Sequence, residues 1–258
     1  YEIGSGLVGS EMCIRDSSID PRLITLTYVR GGVTDTLNMR VDSAYLMGVT
    51  ACLVTDRLLP MVKKEYTFTT TPDKRIFVER DDALQSAIKL GATTIERTHP
   101  DYLKLRVLMT LFGGYFGSRL MSNIREEKGY TYGISAGIMF YPGSGLLGIS
   151  TETANEYVEP LIQEVYKEID KLQNDKVTPE ELAMVRNYML GEMCRNYESP
   201  FSLADAWMFI LTSGLDDDYF ARSLQAVKEV TPEEIRELAG RYLCKESLKE
   251  VIAGKKLA

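Results

Sequence analysis

At 258 residues with 45% apolar content, the chain can bury the core of one large domain, or of one domain with part of another, which excludes intrinsic disorder. Thirty basic against 37 acidic side chains leave a net charge of −7. That balance argues against a sequence-independent grip on phosphate backbones, so no nucleic-acid partner is expected. Cys13, Cys52, Cys194 and Cys244 show no C-x-x-C pairing, so neither a disulfide scaffold nor a cysteine zinc site is expected.

The apolar run Ser43 to Thr55 falls well short of the roughly 20 residues that cross a bilayer, and no membrane partner is expected. The N-terminus lacks the basic segment and long apolar core of a secretory signal. Compartment stays open, with cytoplasm as the default.

Residues 1–17, ending in EMCIRDS, show neither helical nor strand period and resemble translated adapter read-through, so they are set aside from fold reasoning. Ile24 to Val29 is a β-rich run closed by Gly31 and Gly32, and Asp42 to Val54 is expected to be a buried helix. Residues 58–74, with Pro60, Pro72 and a TFTTT run, are expected to be an extended linker.

Arg75 to Arg80 and Leu84 to Ile95 are expected strands. In the second, Leu84, Ser86, Ile88, Leu90 and Ala92 alternate with the residues between them. Thr98 is expected to cap a helix reaching Phe112 on a stripe of Leu103, Val107, Leu108 and Leu111, with Gly113 and Gly114 as its stop.

Ser118 to Lys128 is a short amphipathic helix with Leu120 and Ile124 on its apolar face, and Gly129 ends it. From Thr131 the period drops to two, placing Tyr132, Ile134, Ala136, Ile138 and Phe140 on one side. The YPGSG turn at 141–145 and Leu146 to Thr151 complete a hairpin.

Val158 through Leu172 keeps helical spacing. Two TPEE tetrapeptides, at 178–181 and 231–234, each supply a Thr cap with Pro at the first helical position. Ser199-Pro200 opens another helix carrying Leu203, Trp207, Ile210 and Leu211, and Leu248 to Ala253 is a closing strand. Helices grouped against a largely antiparallel sheet define an α+β fold.

Two G-x-G-x-x-G spacings, Gly4/Gly6/Gly9 and Gly143/Gly145/Gly148, lack the strand before and helix after that give a dinucleotide motif its amide donors. His99 is the single histidine, so any histidine site must use it alone; beside Pro100 it reads as a surface or capping residue. The pairs Glu126/Glu127, Glu180/Glu181 and Glu233/Glu234 and the run Asp216 to Asp218 read as solvated carboxylates at helix turns. Arg125 lies one turn before the Gly129 stop and Tyr132 begins the next strand, so both can approach one spot at the helix-to-strand corner. On spacing alone the pair reads as an ordinary Arg paired with acidic neighbours and a half-buried strand Tyr.

From about Arg75 to the end, the chain resembles the insulinase, pitrilysin and mitochondrial processing peptidase family, metallopeptidases with an inverted H-x-x-E-H zinc motif. The resemblance rests on RDDALQSAIKLG, THPDYLKLRVLMTLFGG, FGSRLMSNIREEKGYTYG, VTPEELAMVRNYMLGEM, VTPEEIRELAGRYL and LKEVIAGKK. GG-x-x-x-SRL-x-x-x-x-RE-x-x-G-x-x-Y is its most specific part. In that family each half of the molecule is a similar α+β domain, with zinc in the first, and this chain resembles the second, non-zinc half.

The resemblance implies that residues 18–57 are the last strand and helix of a truncated preceding half, and residues 75–258 the C-terminal substrate-binding domain. H-x-x-E-H is absent, so the chain itself is expected to hold no cofactor and to be inactive alone. Zinc would come with an H-x-x-E-H-bearing partner half, in the same chain or a separate subunit, and the substrate would be a peptide. Arg125 and Tyr132, seven residues apart, match the arginine and tyrosine that in this family reach into the active-site chamber. There an Arg holds a substrate carbonyl or carboxylate and a Tyr hydroxyl stabilises a tetrahedral oxyanion. The alternative is a non-catalytic structural or assembly subunit related to the processing peptidases; a nicotinamide enzyme is a third reading.

Overall fold

The computed structural model describes the backbone of residues 5–7, 10–16, 23–30, 33–40, 69–141 and 143–256, with side chains from residue 69 onward. It divides into two units, Tyr1–Val62 with Cys194–Gly214, and Lys63–Met193 with Leu215–Ala258.

The first unit contains an antiparallel sheet in the order β1 (Ser5–Leu7), β2 (Ser10–Asp16), β3 (Leu23–Arg30), β4 (Val33–Arg40). Strand β3 is the expected ITLTYV run. β4 was not foreseen, and β2 falls in the stretch set aside for lack of period, because ladder pairing such as Cys13 with Thr27 uses main-chain groups that every residue but proline carries. The helix expected over Asp42 to Val54 lies outside the described residues.

The second unit is built on a five-stranded sheet that begins with β5 (Arg75–Glu79) and β6 (Gln85–Thr94). In β6 the expected alternation holds. Ser86, Ile88, Leu90 and Ala92 are buried, while Leu84, one residue before the strand, is 90% exposed. Helix α1 (Tyr102–Met109) follows, and its start differs from expectation. The Thr98 hydroxyl donates to Glu96 rather than capping, and the Asp101 N–H donates to Nδ1 of His99 at 3.1 Å. The helix therefore begins later, and Tyr102 and Leu105 are buried while Leu103 is not.

From Thr110 to Gly114 the chain widens into a π-helical turn. There the Thr110 hydroxyl donates to the Arg106 carbonyl at 2.9 Å, a side-chain bond that competes with the regular ladder. A second π-helical stretch, Met121–Glu127, replaces the expected α-helix; the Lys128 N–H reaches the Asn123 carbonyl, five residues back, at 2.9 Å. Gly129, at φ 67°, ends it as anticipated.

Strands β7 (Thr131–Tyr141) and β8 (Ser144–Ala154) form the hairpin. The uncharged sequence from Gly129 to Thr151, longer than the run at Ser43 to Thr55, is thereby spent on a sheet. Helices α2 (Val158–Asn174), α3 (Pro179–Asn196), α4 (Pro200–Ser213), α5 (Tyr219–Glu229) and α6 (Pro232–Tyr242) precede the last strand, β9 (Lys249–Gly254). Among the described residues no helix is long and apolar enough to cross a membrane.

The sheet order is β5-β9-β6-β8-β7, antiparallel throughout except β5 with β9. Its inner face packs on the helices around Leu105, Phe112, Leu161 and Val165, all 0% exposed. Buried Glu250 on β9 is paired, accepting from Arg75 Nε and from the Tyr166 hydroxyl, each at 2.5 Å, as a desolvated carboxylate requires. Residues 69–74, inside the expected linker, are bonded to this unit: the Glu250 N–H donates to the Lys74 carbonyl at 2.9 Å.

The helix starts at both TPEE sites follow the sequence. The Thr231 hydroxyl accepts from the Glu234 N–H while the Glu234 carboxylate accepts from the Thr231 N–H, and the Thr178 hydroxyl accepts from the Glu181 N–H. Ser199 caps α4 in the same reciprocal way with Ser202; of its expected stripe Ile210 is buried, while Leu203, Trp207 and Leu211 are exposed. Helix α5 was missed because its start, Asp218, makes no side-chain cap.

Two substitutions test these packing arguments. A Cβ at Gly113 would stand 2.6 Å from the Ala136 Cβ on β7, so Gly113→Ala is expected to lower unfolding stability by about 1–3 kcal/mol in urea denaturation. Thr231→Ala removes a hydroxyl cap and is expected to cost about 1 kcal/mol by the same measurement, with the fold retained.

Candidate functional site

The segment Gly113 to Ile134 is fixed to its surroundings on several sides, and each attachment constrains where Arg125 and Tyr132 can point. At its start, the close approach of Gly113 to Ala136 seats the end of the first π-helical turn on β7. In the loop that follows, Tyr115 stacks on Tyr188 of α3 with ring centroids 4.8 Å apart, and the Ser118 N–H closes a turn onto the Tyr115 carbonyl at 3.1 Å.

The second π-helical stretch is held next. Arg119, just before it, makes a bidentate pair with Glu181 at the start of α3, at 2.7 and 2.8 Å. Burial alone would lower the Arg119 pKa, but the hydrogen bonds and charge of Glu181 outweigh it and raise it. Asn123 donates through Nδ2 to buried Glu168 at 2.7 Å and to Glu164 at 3.2 Å, both on α2. Glu164 is held below its usual carboxylate pKa first by its bond to Lys167 and further by that to Asn123. Leu120 and Ile124 are fully buried, as the apolar face predicts. Neither the Arg119–Glu181 pair nor buried Glu168 was apparent in the sequence, since both depend on which helices become neighbours.

At the far end a β-bulge corrects the simple alternation read for β7. Thr131 pairs with Thr153 and Ile134 with Thr151, so β7 advances three residues while β8 advances two. Thr131 is buried, Tyr132 is 93% exposed and Ile134 is buried again. Tyr132 therefore does not share the burial of Ile134, as strict alternation required.

Hydroxyls hold this bulge in place. The Thr151 hydroxyl lies 2.9 Å from both the Thr131 hydroxyl and the Gly133 carbonyl, and the Thr131 hydroxyl accepts from the Gly133 N–H at 3.1 Å. The Ile134 N–H donates to the Met121 sulfur at 3.4 Å, tying strand to helix.

The result brings the two expected residues together. The Arg125 guanidinium carbon is 5.5 Å from the Tyr132 ring centroid and 4.6 Å from that of Phe116. No described carboxylate lies within ion-pair distance of Arg125, although Glu126 and Glu127 adjoin it in sequence; Glu127 pairs instead with Lys128 at 2.8 Å. Among the described residues Arg125 has no acidic partner, and Tyr132 is exposed rather than half-buried. A guanidinium without a carboxylate partner among the described residues, beside an exposed phenol, offers several N–H donors and one O–H donor to an oxygen-rich ligand.

Several of the other acidic residues at helix turns have local engagements. Glu181 meets Arg119, Glu234 meets Lys104 and its own cap, Glu233 meets Lys176, and Asp216 meets Arg222. The described side chains offer no zinc site. His99 has Nδ1 engaged by the Asp101 N–H and its ring edge-on to Tyr242, and among the described residues no cluster of three His, Cys, Asp or Glu could hold a metal. Of the two glycine spacings, Gly143, at φ 80°, is in the hairpin turn and Gly145 and Gly148 lie in β8, with no helix opening behind them. Gly6 is in β1, while Gly4 and Gly9 lie outside the described residues.

Comparison with known proteins agrees with this architecture. Residues 59–189 match the family model described as the peptidase M16 inactive domain. The uncharacterized zinc protease YmxG of Bacillus subtilis is 30% identical over 115 residues, covering 45% of this chain and 28% of that protein. An uncharacterized zinc protease of Mycobacterium leprae is 27% identical over 168 residues, 64% of this chain and 37% of that one. The chain thus spans well under half the length of these relatives.

Among solved structures, the M16 inactive domain from Pseudomonas fluorescens superposes with a TM-score of 0.66 at 24% identity, over 71% of this chain and 44% of that one. A Helicobacter pylori protease gives 0.67 at 17% identity, over 86% and 55%. The matched model spans half of the chain, and the fold is shared with a solved M16 inactive domain: this protein belongs to the peptidase M16 family, through its inactive domain.

Proposed function

We propose that this domain is the substrate-clamping half of a two-half zinc metallopeptidase, with Arg125 and Tyr132 as its contribution to the reaction. The observation that carries the reading is the corner itself, an Arg without a described acidic partner held 5.5 Å from a 93% exposed Tyr. Burial in a core would account for neither side chain.

In this reading the Arg125 guanidinium donates to a carbonyl of an extended peptide and fixes its register. The Tyr132 hydroxyl donates to the oxygen on which negative charge develops as the scissile carbonyl becomes tetrahedral, an interaction stronger in the transition state than in the bound substrate. An H-x-x-E-H-bearing half would supply the metal and the general base, and no step assigned to the present chain runs through them. Residues 18–57 would be the closing strand and helix of such a preceding half. Strand β3 over Leu23–Arg30 supports that assignment, as do relatives much longer than the matched segment.

A non-catalytic role in assembly is the second reading, favoured by relatives such as the Bacillus subtilis protein named "probable inactive metalloprotease YmfF", 21% identical over 151 residues, and the Helicobacter pylori protein named "non-peptidase homolog YmxG", 27% identical over 180. One experiment separates the two. In the complex of this domain with its H-x-x-E-H half, Tyr132→Phe and Arg125→Ala are each expected to lower kcat for peptide cleavage by about 10²-fold or more, with thermal midpoints unchanged. Cleavage unaffected by both substitutions would rule out the clamping role. Thr151→Val, which removes a hydroxyl from the bulge without touching a ligand, is expected to reduce kcat less than Tyr132→Phe does.

A further inference from the structure

Phe116 is the residue at this corner that neither the clamping role nor the packing of the core explains. Its ring is 61% exposed, an unfavourable place for a large apolar side chain that only filled space. Its neighbours are arranged to keep it there. Tyr115 turns inward onto Tyr188, the Ser118 N–H closes the turn at 3.1 Å, and a Cβ on Gly117 would stand 2.9 Å from the Tyr115 ring. One aromatic of the Tyr115-Phe116 pair is thus anchored and the other is presented.

What Phe116 meets is Arg125. The guanidinium carbon lies 4.6 Å from the Phe116 centroid, closer than the 5.5 Å to Tyr132. We infer that Phe116 is a positioning residue of this site, its ring supporting the Arg125 guanidinium so that the N–H edges stay directed at a ligand. The inference rests on Arg125 being the substrate-binding group. An Arg side chain free in solvent samples many rotamers, and ordering it costs free energy at the moment of binding. Contact with two aromatic rings satisfies the cation without consuming its in-plane donors, which a carboxylate partner would occupy.

The test has two arms. In this chain by itself, 15N relaxation of the Arg125 Nε–H, assigned by its loss in Arg125→Lys, reports side-chain order. It is expected to show a rigid Nε–H in the native protein and in Phe116→Tyr, and a mobile one in Phe116→Leu, which keeps an apolar side chain but removes the π face. Equal order in Phe116→Leu and the native chain, or a fully mobile Arg125 in both, would overturn the inference.

In the complex with the H-x-x-E-H half, Phe116→Leu is expected to lower kcat/KM by about 2- to 5-fold. Phe116→Tyr should restore the native value, and Phe116→Leu should have no further effect once Arg125→Ala is present. A full additional loss on the Arg125→Ala background would show that Phe116 acts independently of Arg125 and would also overturn the inference. If Arg125→Ala leaves cleavage unchanged, the clamping role fails by itself, and the relaxation measurement still decides whether Phe116 orders Arg125.

Discussion

A single extra residue in strand β7 is the constraint on which this corner depends. Between Thr131 and Ile134 the edge strand must absorb three residues against two on β8, and a bulge of that kind interrupts the ladder and re-aims the side chain within it. The Thr131 and Thr151 hydroxyls take up the backbone groups that the interruption leaves over. Without that compensation the buried polar atoms would favour a regular strand, and Tyr132 would return to the face it shares with Ile134 in sequence.

The bulge has a counterpart in the helix before it. Both stretches flanking the Tyr115 to Ser118 loop are π-helical, each carrying a residue more than an α-turn would, and such insertions are concentrated at functional sites. Wide turns are costly by themselves. Here they are held by Gly113 against Ala136, Arg119 against Glu181 and Asn123 against Glu168, so three neighbouring elements share the attachment of one short segment. The proposed clamp is consequently carried on fixed structure at the sheet edge rather than on a loop, which suits a group that must meet its ligand in one geometry.

The polar residues also divide by role on physical grounds. Arg119 and Arg125 are six positions apart in the same segment, yet one is paired bidentately with a carboxylate and the other stands among aromatic rings. The first uses its charge for attachment, with Nε and one terminal nitrogen committed to Glu181. The second has no carboxylate on its planar donor edges among the described residues, although Glu126 and Glu127 are its sequence neighbours. The distinction lies in which neighbours each side chain faces, not in residue type.

Much of this was legible in the order of residues. The alternation of Ser86 to Ala92, the Gly129 stop, the TPEE caps and the apolar spacing of Val158 to Leu172 each follow from local stereochemistry and one-sided burial, and they fix the α+β class with its largely antiparallel sheet. The signature from Gly113 to Tyr132 also carried the family. The sequence did not determine the start of α1, where His99 rather than Thr98 takes the Asp101 N–H, nor helix α5, whose start has no side-chain cap. It determined neither π-helical turn, and on simple alternation it placed Tyr132 on the wrong face. The π-helical turns and the bulge depend on contacts between segments far apart in the chain, Gly113 with Ala136, Thr131 with Thr151 and Arg119 with Glu181, and no local pattern encodes them. Sequence alone named Arg125 and Tyr132; tertiary structure decided that they meet, and that Phe116 meets them too.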